Sequence, residues 1–251
     1  MRCRVRMRVL CVAAAVSVCD ATPAAADRPL SLSSEDYLRG GATPERFLYF
    51  AGVDVWRYGG TLYGGMLWSP RGLRDDGFTM KLLYAGGFYL YRADGRSITG
   101  AHDTIAAQAG FRVIRDGFEA TVYAGPDLQY HVTLPRDPGN RLRGLHAGAR
   151  IGADLWWEPR ANWMLAASIS ASTVGPSYSL RLASGWRVGY RFWAGPEFEL
   201  SGDPVYRQYR LGAHLTSMQF WFGEWMLGGG FITDSDRRTG VYGRLGFVIR
   251  R

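Results

Sequence analysis

The chain has 251 residues, 47% of them apolar and 14% aromatic, with a formal charge of +8. Its three cysteines, Cys3, Cys11 and Cys19, all precede residue 20, so the remainder can build neither a disulfide framework nor a thiolate zinc site. Past that leader no run of about 18 uncharged apolar residues occurs, which argues against a transmembrane helix.

Arg2, Arg4, Arg6 and Arg8 precede the apolar run Val9 to Val18, and small residues follow to Ala24-Ala25-Ala26. This order is that of a secretory signal peptide over residues 1–26, with cleavage expected before Asp27. Lipid attachment at Cys19 is disfavoured by the bulky Val18 before it. Removing the leader takes away four arginines and one aspartate and leaves +5. Lys81 is the single lysine, and the arginines are scattered rather than clustered, so a nucleic-acid partner is not expected. Outer-membrane lipid and anionic lipopolysaccharide are the expected neighbours of an exported chain of this charge.

Residues 27–46, with Pro29 and Pro44, read as an irregular lead-in, and 47–251 as one domain. Alternation and turn residues then predict about twelve strands. They run roughly 47–57, 61–69, 78–91, 104–114, 117–131, 142–157, 161–171, 177–190, 192–201, 205–217, 219–232 and 240–250. The sixth shows the pattern most plainly. Leu145, Ala147, Ala149, Ile151, Ala153, Leu155 and Trp157 alternate with Gly144, His146, Gly148, Arg150, Gly152, Asp154 and Trp156. Successive side chains of a strand point to opposite faces, so such a strand has one greasy and one wet side. At over about 10 residues it can cross a tilted bilayer.

Short connections at Arg115-Asp116-Gly117, Glu158-Pro159-Arg160, near Arg191 and near Met218 alternate with longer ones. The longer ones are Arg92 to Asp103, Pro135 to Asn140, around Gly175-Pro176, Ser201 to Pro204 and Thr233 to Thr239. That sidedness belongs to outer-membrane barrels, and twelve strands would leave both termini periplasmic. Tyr58-Gly59-Gly60 is short and Pro70 to Gly77 long, against the rule. Trp156, Trp157, Trp163, Tyr178, Tyr190 and Trp193 near strand ends suit the headgroup level. A soluble sandwich would also alternate, but explains the strand lengths and end-clustered Trp poorly. The expected fold is therefore all-β, a single antiparallel outer-membrane-type barrel of about twelve strands.

The segments AGPDLQ (Ala124 to Gln129) and AGPEFE (Ala194 to Glu199) echo each other. Proline cannot donate to a ladder, so each marks a bend, with an acidic pair Asp127–Glu197 as the functional alternative. Glu197 and Glu199 share a strand face, which raises glycoside hydrolysis. Yet Arg112, Arg150, Arg181, Arg187, Arg210 and Arg244 also fall on polar faces. With Asp154, Glu197, Glu199 and His214 they are expected to form a polar lumen network that satisfies buried charge. His214-Leu215-Thr216 resembles the His-x-Ser pair of outer-membrane lipid A deacylases, with Thr in place of Ser. A lumen filler is the alternative for His214. His102, His131 and His146 lack metal-ligand spacing, and TDSDRRT (Thr233 to Thr239) lacks the Gly and terminal Glu of a calcium loop, so no metal or cofactor is expected.

The stretches GGMLWSPRGLRDDGF (Gly64 to Phe78), GADLWWEP (Gly152 to Pro159), YRQYRLGAH (Tyr206 to His214) and YGRLG (Tyr242 to Gly246) resemble the cellulose-biosynthesis protein BcsS family. WSP-x-GL-x-x-DGF is the most specific of these. The resemblance implies a role in making or exporting cellulose, and carries no catalytic residues. The expected function is a non-enzymatic accessory of cellulose secretion in the outer membrane, acting as a scaffold that meets the secretion machinery or as a narrow glucan conduit. Tyr89, Tyr91, Tyr123, Trp156, Trp193 and Tyr242 would be sugar-stacking platforms in a conduit. A lipid-modifying enzyme built on His214 and Thr216 is the rival. The chain ends Val248-Ile249-Arg250-Arg251 rather than on an aromatic residue, with Phe247 close by.

Overall fold

The computed structural model describes residues 45–251 except 94, 190, 191 and 205. The expected signal peptide, nearly all of the lead-in, Tyr190 and Arg191 lie outside the described residues. Twelve strands follow in chain order: β1 (Phe47–Trp56), β2 (Gly59–Trp68), β3 (Gly77–Ala93), β4 (Arg96–Arg115), β5 (Phe118–Leu134) and β6 (Gly144–Arg160), then β7 (Trp163–Ser172), β8 (Ser177–Val188), β9 (Phe192–Gly202), β10 (Arg207–Phe220), β11 (Gly223–Asp234) and β12 (Thr239–Arg250). Each pairs antiparallel with its neighbours in sequence, and β1 closes on β12 from Leu48↔Arg250 to Trp56↔Tyr242. Closure satisfies the backbone without leaving a free sheet edge, which is the condition for strands in a hydrocarbon medium.

The alternation read from sequence sorts residues as expected. Ile151 and Leu145 are 60% and 71% exposed on the outside, whereas Arg150 and Asp154 on the alternate positions are buried inside. The exterior is apolar on every side, with Leu62, Phe111, Val122, Leu211, Phe231 and Val241 all more than half exposed. A soluble protein does not leave so large a contiguous apolar surface in water. An even strand number places both chain ends at one rim, here called the terminal rim, and the other rim is the far rim.

Three expectations need correction. The segment Arg92 to Asp103 is not a loop: β3 runs to Ala93, β4 starts at Arg96, and Gly95 turns at φ 75°. β3, β4, β5 and β6 have 17, 20, 17 and 17 residues, against about 9–11 needed for a crossing. They form a wall standing beyond the apolar band at the far rim. On β4 the outward face is Ile105, Ala107, Ala109 and Phe111 within the band, but Ser97, Thr99 and Asp103 above it. Above the band that face meets water, so the greasy-out signal vanishes and the strand reads as loop.

Second, β10 does not turn near Met218 but continues to Phe220 through a register shift between Leu215 and Met218, with Ser217 at φ 60°. The extra residue of a bulge breaks the period of two. Third, Trp156 and Trp193 do not face the headgroups. They point inward, 3% and 1% exposed, while Trp157 and Trp186 stay outside.

At the Gly-Pro echoes the strands run on without a register shift, although ladder pairs are missing there. β4 and β5 pair at Ala106↔Asp127 and Ala109↔Ala124, and β8 and β9 at Ala183↔Glu197 and Trp186↔Ala194. Gly125 and Gly195 lie so close to the neighbouring carbonyls of Ala107 and Ser184 that no Cβ would fit. The repeat therefore marks two close strand approaches. Asp127 and Glu197 do not form an acidic pair, since each is held by its own arginine.

The β2–β3 connection, residues 69–76, folds across the terminal mouth. Leu73 is 3% exposed and joins Leu48, Phe50, Tyr63, Leu67 and Leu83 in a core cluster inside the barrel. Its amide donates to the Glu45 carbonyl at 2.7 Å, and its carbonyl accepts from Arg112 Nη1 at 2.7 Å. Asp76 accepts from the Ile114 amide and from Arg115, both at 2.6 Å, which fastens the loop to the end of β4.

Candidate functional site: the packed lumen

Inward positions of β1, β8, β9, β10 and β12 place charge where water is excluded, so each group needs a partner. Asp54 Oδ2 accepts from Arg210 Nη1 at 2.6 Å and from Arg244 Nη2 at 2.9 Å. Arg244 also donates to Glu199 Oε2 at 2.5 Å. Arg181 donates twice to Glu197 Oε2, at 3.1 and 2.6 Å, and Tyr242 Oη donates to Glu197 Oε1 at 2.7 Å. Three carboxylates thus face three guanidiniums, and the network is neutral. The Arg210 guanidinium also lies 5.1 Å from the ring centres of Trp56 and Tyr242.

A second network lines β3 to β7. Lys81 Nζ is 3.2 Å from Asp154 Oδ2 and 4.6 Å from the Tyr123 ring centre, while Ser168 donates to Asp154 Oδ1 at 2.8 Å. Asp127 Oδ2 accepts from Arg150 at 3.1 Å, Gln129 at 2.8 Å and Ser172 at 2.5 Å. A cavity of about 20 Å³ bordered by Lys81, Gln108, Tyr123, Arg150 and Asp154 has room for about one water molecule. Arg187 lies apart, 3.2 Å from Glu158 and 4.4 Å from the Trp193 ring centre.

The residues expected in the polar lumen network all lie on the inner surface; most join these clusters, while Arg112 pairs with Glu119 at 3.2 Å and His214 stands apart. Asp54, the hub of the first cluster, and Lys81, Gln129 and Ser172 in the second were not expected in the network. No local signal marks them, because Asp54 and Arg244 are 190 positions apart in sequence. Period-two alternation says only that they share the inner surface.

His214 is 2% exposed, with Nδ1 2.8 Å from Thr216 Oγ1 and Nε2 3.2 Å from the Ser184 carbonyl oxygen. A carbonyl only accepts, so Nε2 carries the proton and Nδ1 accepts from the Thr216 hydroxyl. The pair expected of a deacylase-like site is thus present as a contact, but walled in by the barrel. The six aromatic residues considered as sugar platforms are likewise buried, none above 5% exposed. Tyr89 stacks on Tyr91 at 5.8 Å and tilts over His102 at 6.2 Å, and His102 stacks on His131 at 6.0 Å.

Toward the far mouth, Tyr89, Tyr91 and Ile98 on the inner side of the wall pack against Tyr206 from the β9–β10 connection. Tyr91 Oη donates to Asp137 Oδ2 at 2.7 Å, drawing the β5–β6 connection over the opening. Among the described residues, paired charges occupy the middle of the lumen and buried side chains pack toward both of its mouths.

Among solved structures the chain is similar to the KdgM porin, at 11% identity over 80% of this chain and 98% of that one, TM-score 0.44. It is also similar to the translocator domain of the autotransporter NalP from Neisseria meningitidis, at 13% identity, 86% and 92% coverage, TM-score 0.43. The transport unit of the autotransporter AIDA-I from Escherichia coli matches at 9% identity, 85% and 92% coverage, TM-score 0.47. No curated protein matches the chain. One family model, described as cellulose biosynthesis protein BcsS, matches residues 48–251.

Proposed function

The chain belongs to the cellulose biosynthesis protein BcsS family, and on that premise we propose that it is an exported outer-membrane barrel serving cellulose secretion as a non-enzymatic scaffold. The observation that carries this reading is the network of mutually paired charges across the lumen, with buried side chains packed toward both mouths. A conduit for a glucan chain needs continuous open space, and an enzyme needs a reachable nucleophile and base. The small cavity of about 20 Å³ among the charges of β3 to β6 and the burial of His214, 2% exposed, favour a scaffold over both. The surfaces left for partners are the two rims and the wall of β3 to β6, through which a scaffold would meet the secretion machinery. Outer-membrane lipid surrounds the apolar band, and the terminal rim faces the periplasm.

The test compares cellulose output, outer-membrane fractionation and planar-bilayer conductance of the same protein. Output should fall when the gene is removed, the protein should sit in the outer membrane with heat-modifiable gel mobility, and the purified barrel should pass no steady current. Steady conductance that glucan oligomers block would replace the scaffold with a conduit. Altered lipid A that depends on His214 would replace it with an enzyme.

A further inference from the structure

The aromatic rings inside the lumen are buried, but others stand on the outer face of the wall formed by β3 to β6. Asp103 is exposed there on β4, paired across the sheet with Gly86 of β3 on one side and Tyr130 of β5 on the other. Among the described residues, every other carboxylate on a strand sits in an ion pair. Asp103 has none. It lies on the outward face, above the apolar band, in a ring of exposed aromatic side chains.

Tyr84 Oη donates to Asp103 Oδ1 at 2.7 Å. To reach it the ring leans along its own strand across Gly86, where a Cβ would come 2.6 Å from Tyr84 Oη and 2.7 Å from Asp103 Oδ1. With any larger residue at Gly86 the ring would have to move. Tyr84, Phe88 and Tyr130 are 45%, 51% and 49% exposed around the carboxylate. An acyl chain would cover these rings, but would strip water from a charge without replacing its hydrogen bonds. An anionic headgroup would meet like charge. A neutral sugar ribbon satisfies both parts of the surface. β-Linked glucose units carry hydroxyls around their edges and bare C–H groups on their faces, so the faces stack on rings while an edge hydroxyl donates to the carboxylate.

We propose that the outer face of the wall at Asp103 binds a β-linked glucan, with Tyr84, Phe88 and Tyr130 as stacking platforms and Asp103 as hydroxyl acceptor. This rests on the cellulose-secretion reading and gives the scaffold a grip on the polymer at the outward rim. The bond from Tyr84 fixes Asp103 Oδ1 and leaves Oδ2 to accept from the sugar. A ribbon crossing from β3 to β5 spans about 10 Å, two strand spacings, and so meets more than one ring at once.

The experiment uses the full chain folded in a zwitterionic detergent that carries no sugar, with soluble cello-oligosaccharides as probe and malto-oligosaccharides, their α-linked counterparts, as control. Heat-modifiable mobility shows that each variant is folded. Calorimetric titration should show saturable binding of the β-linked form and far weaker binding of the α-linked form. Tyr84→Ala and Asp103→Ala should each weaken it by roughly tenfold or more. Tyr84→Phe keeps the ring and loses the bond to Asp103, so it should weaken binding less than Tyr84→Ala. Gly86→Ala should weaken it by displacing the Tyr84 ring. Phe231→Ala, at a ring 75% exposed on β11, should leave it unchanged. No saturable binding by the folded wild type, equal binding of both linkages, or undiminished binding by the folded Tyr84 and Asp103 variants would each overturn the site. Lipid that co-purifies with the wild type and is lost in Tyr84→Ala, with no glucan binding, would replace the sugar with an acyl chain. Specific glucan binding by a barrel whose gene proves dispensable for cellulose output would overturn the secretion reading instead, so the two failures are told apart.

Discussion

Asp54 and Arg244 are cross-strand partners at the seam where the first strand meets the last, and their side chains bond inside the barrel at 2.9 Å. Arg210 reaches the same carboxylate oxygen from β10 at 2.6 Å. One carboxylate therefore couples the closing pair of strands to β10, two strands beyond β12 around the barrel. Asp54→Asn would leave two buried guanidiniums sharing Glu199 and should destabilise the barrel by about 3–5 kcal/mol, the cost of breaking a buried pair from one side. Urea midpoints of folded barrels in detergent measure this, and a loss below about 1 kcal/mol would mean that water reaches the seam.

On the outer surface the cost has a different origin. Ile151 and Leu182 face outward from β6 and β8. Arginine at either position should cost about 2–4 kcal/mol if it sits near the bilayer midplane. Alanine there should cost far less, because no packed neighbour is lost. Folding into lipid vesicles separates the two substitutions, and equal behaviour would show that these faces do not meet lipid.

For His214 the expectation is modest. Glutamine retains a donor and an acceptor, so His214→Gln should lower stability by roughly 1–3 kcal/mol through imperfect pairing with Thr216 and the Ser184 carbonyl. Cellulose output should follow the amount of folded barrel in cells carrying the variant. A normal amount of barrel with changed lipid A would assign the residue to chemistry.

Close packing at a single glycine offers a sharper steric test. A Cβ at Gly100 would fall within the Tyr89 ring, which is itself 1% exposed and stacked on Tyr91. Gly100→Ala should therefore destabilise by about 1–3 kcal/mol through overpacking. Gly95→Ala should be costly for another reason, since its φ of 75° is left-handed although nothing crowds it. Thermal melts of the two variants, together with a Gly100→Ala/Tyr89→Leu double variant, should show recovery only for Gly100.

Acid should loosen the terminal loop. The hydrogen bond from Arg115, helped by the Ile114 amide, holds the Asp76 carboxyl below its ordinary value. A carboxyl lowered on folding contributes stability above its unfolded value, near pH 4, and loses it as pH falls through the lower folded value. Protease nicking of residues 69–76 should accordingly rise on acidification in the wild type. In Asp76→Asn it should already be raised at neutral pH and change little with acid.

Strand number, closure, inner and outer faces and the family were legible in sequence because each rests on a local signal or a motif. Alternation over Gly144 to Trp157 sorts the inward and outward faces correctly, up to the register shift that follows. It fails at Ser97 to Asp103, where the outward face leaves the apolar medium, and at Ser217, where a bulge shifts the phase. The same alternation placed Arg150, Arg181 and Arg244 in the lumen but could not pair them, since partners such as Asp54 and Arg210 are set by the tilt of the strands around the barrel. Leu73 was equally hidden: inside WSPRGL it reads as loop, and only the folded chain shows it seated in the terminal mouth.

The plugged interior also bears on the cell that makes this protein. An outer membrane excludes bile salts, antibiotics and lysozyme only while each protein in it keeps its leak small. On the scaffold reading, with Leu73 packed toward one mouth, Tyr206 against Tyr91 at the other, and charge cancelled between them, the barrel would add anchorage to the membrane without adding permeability. It could accumulate in step with polymer output while the barrier stays intact.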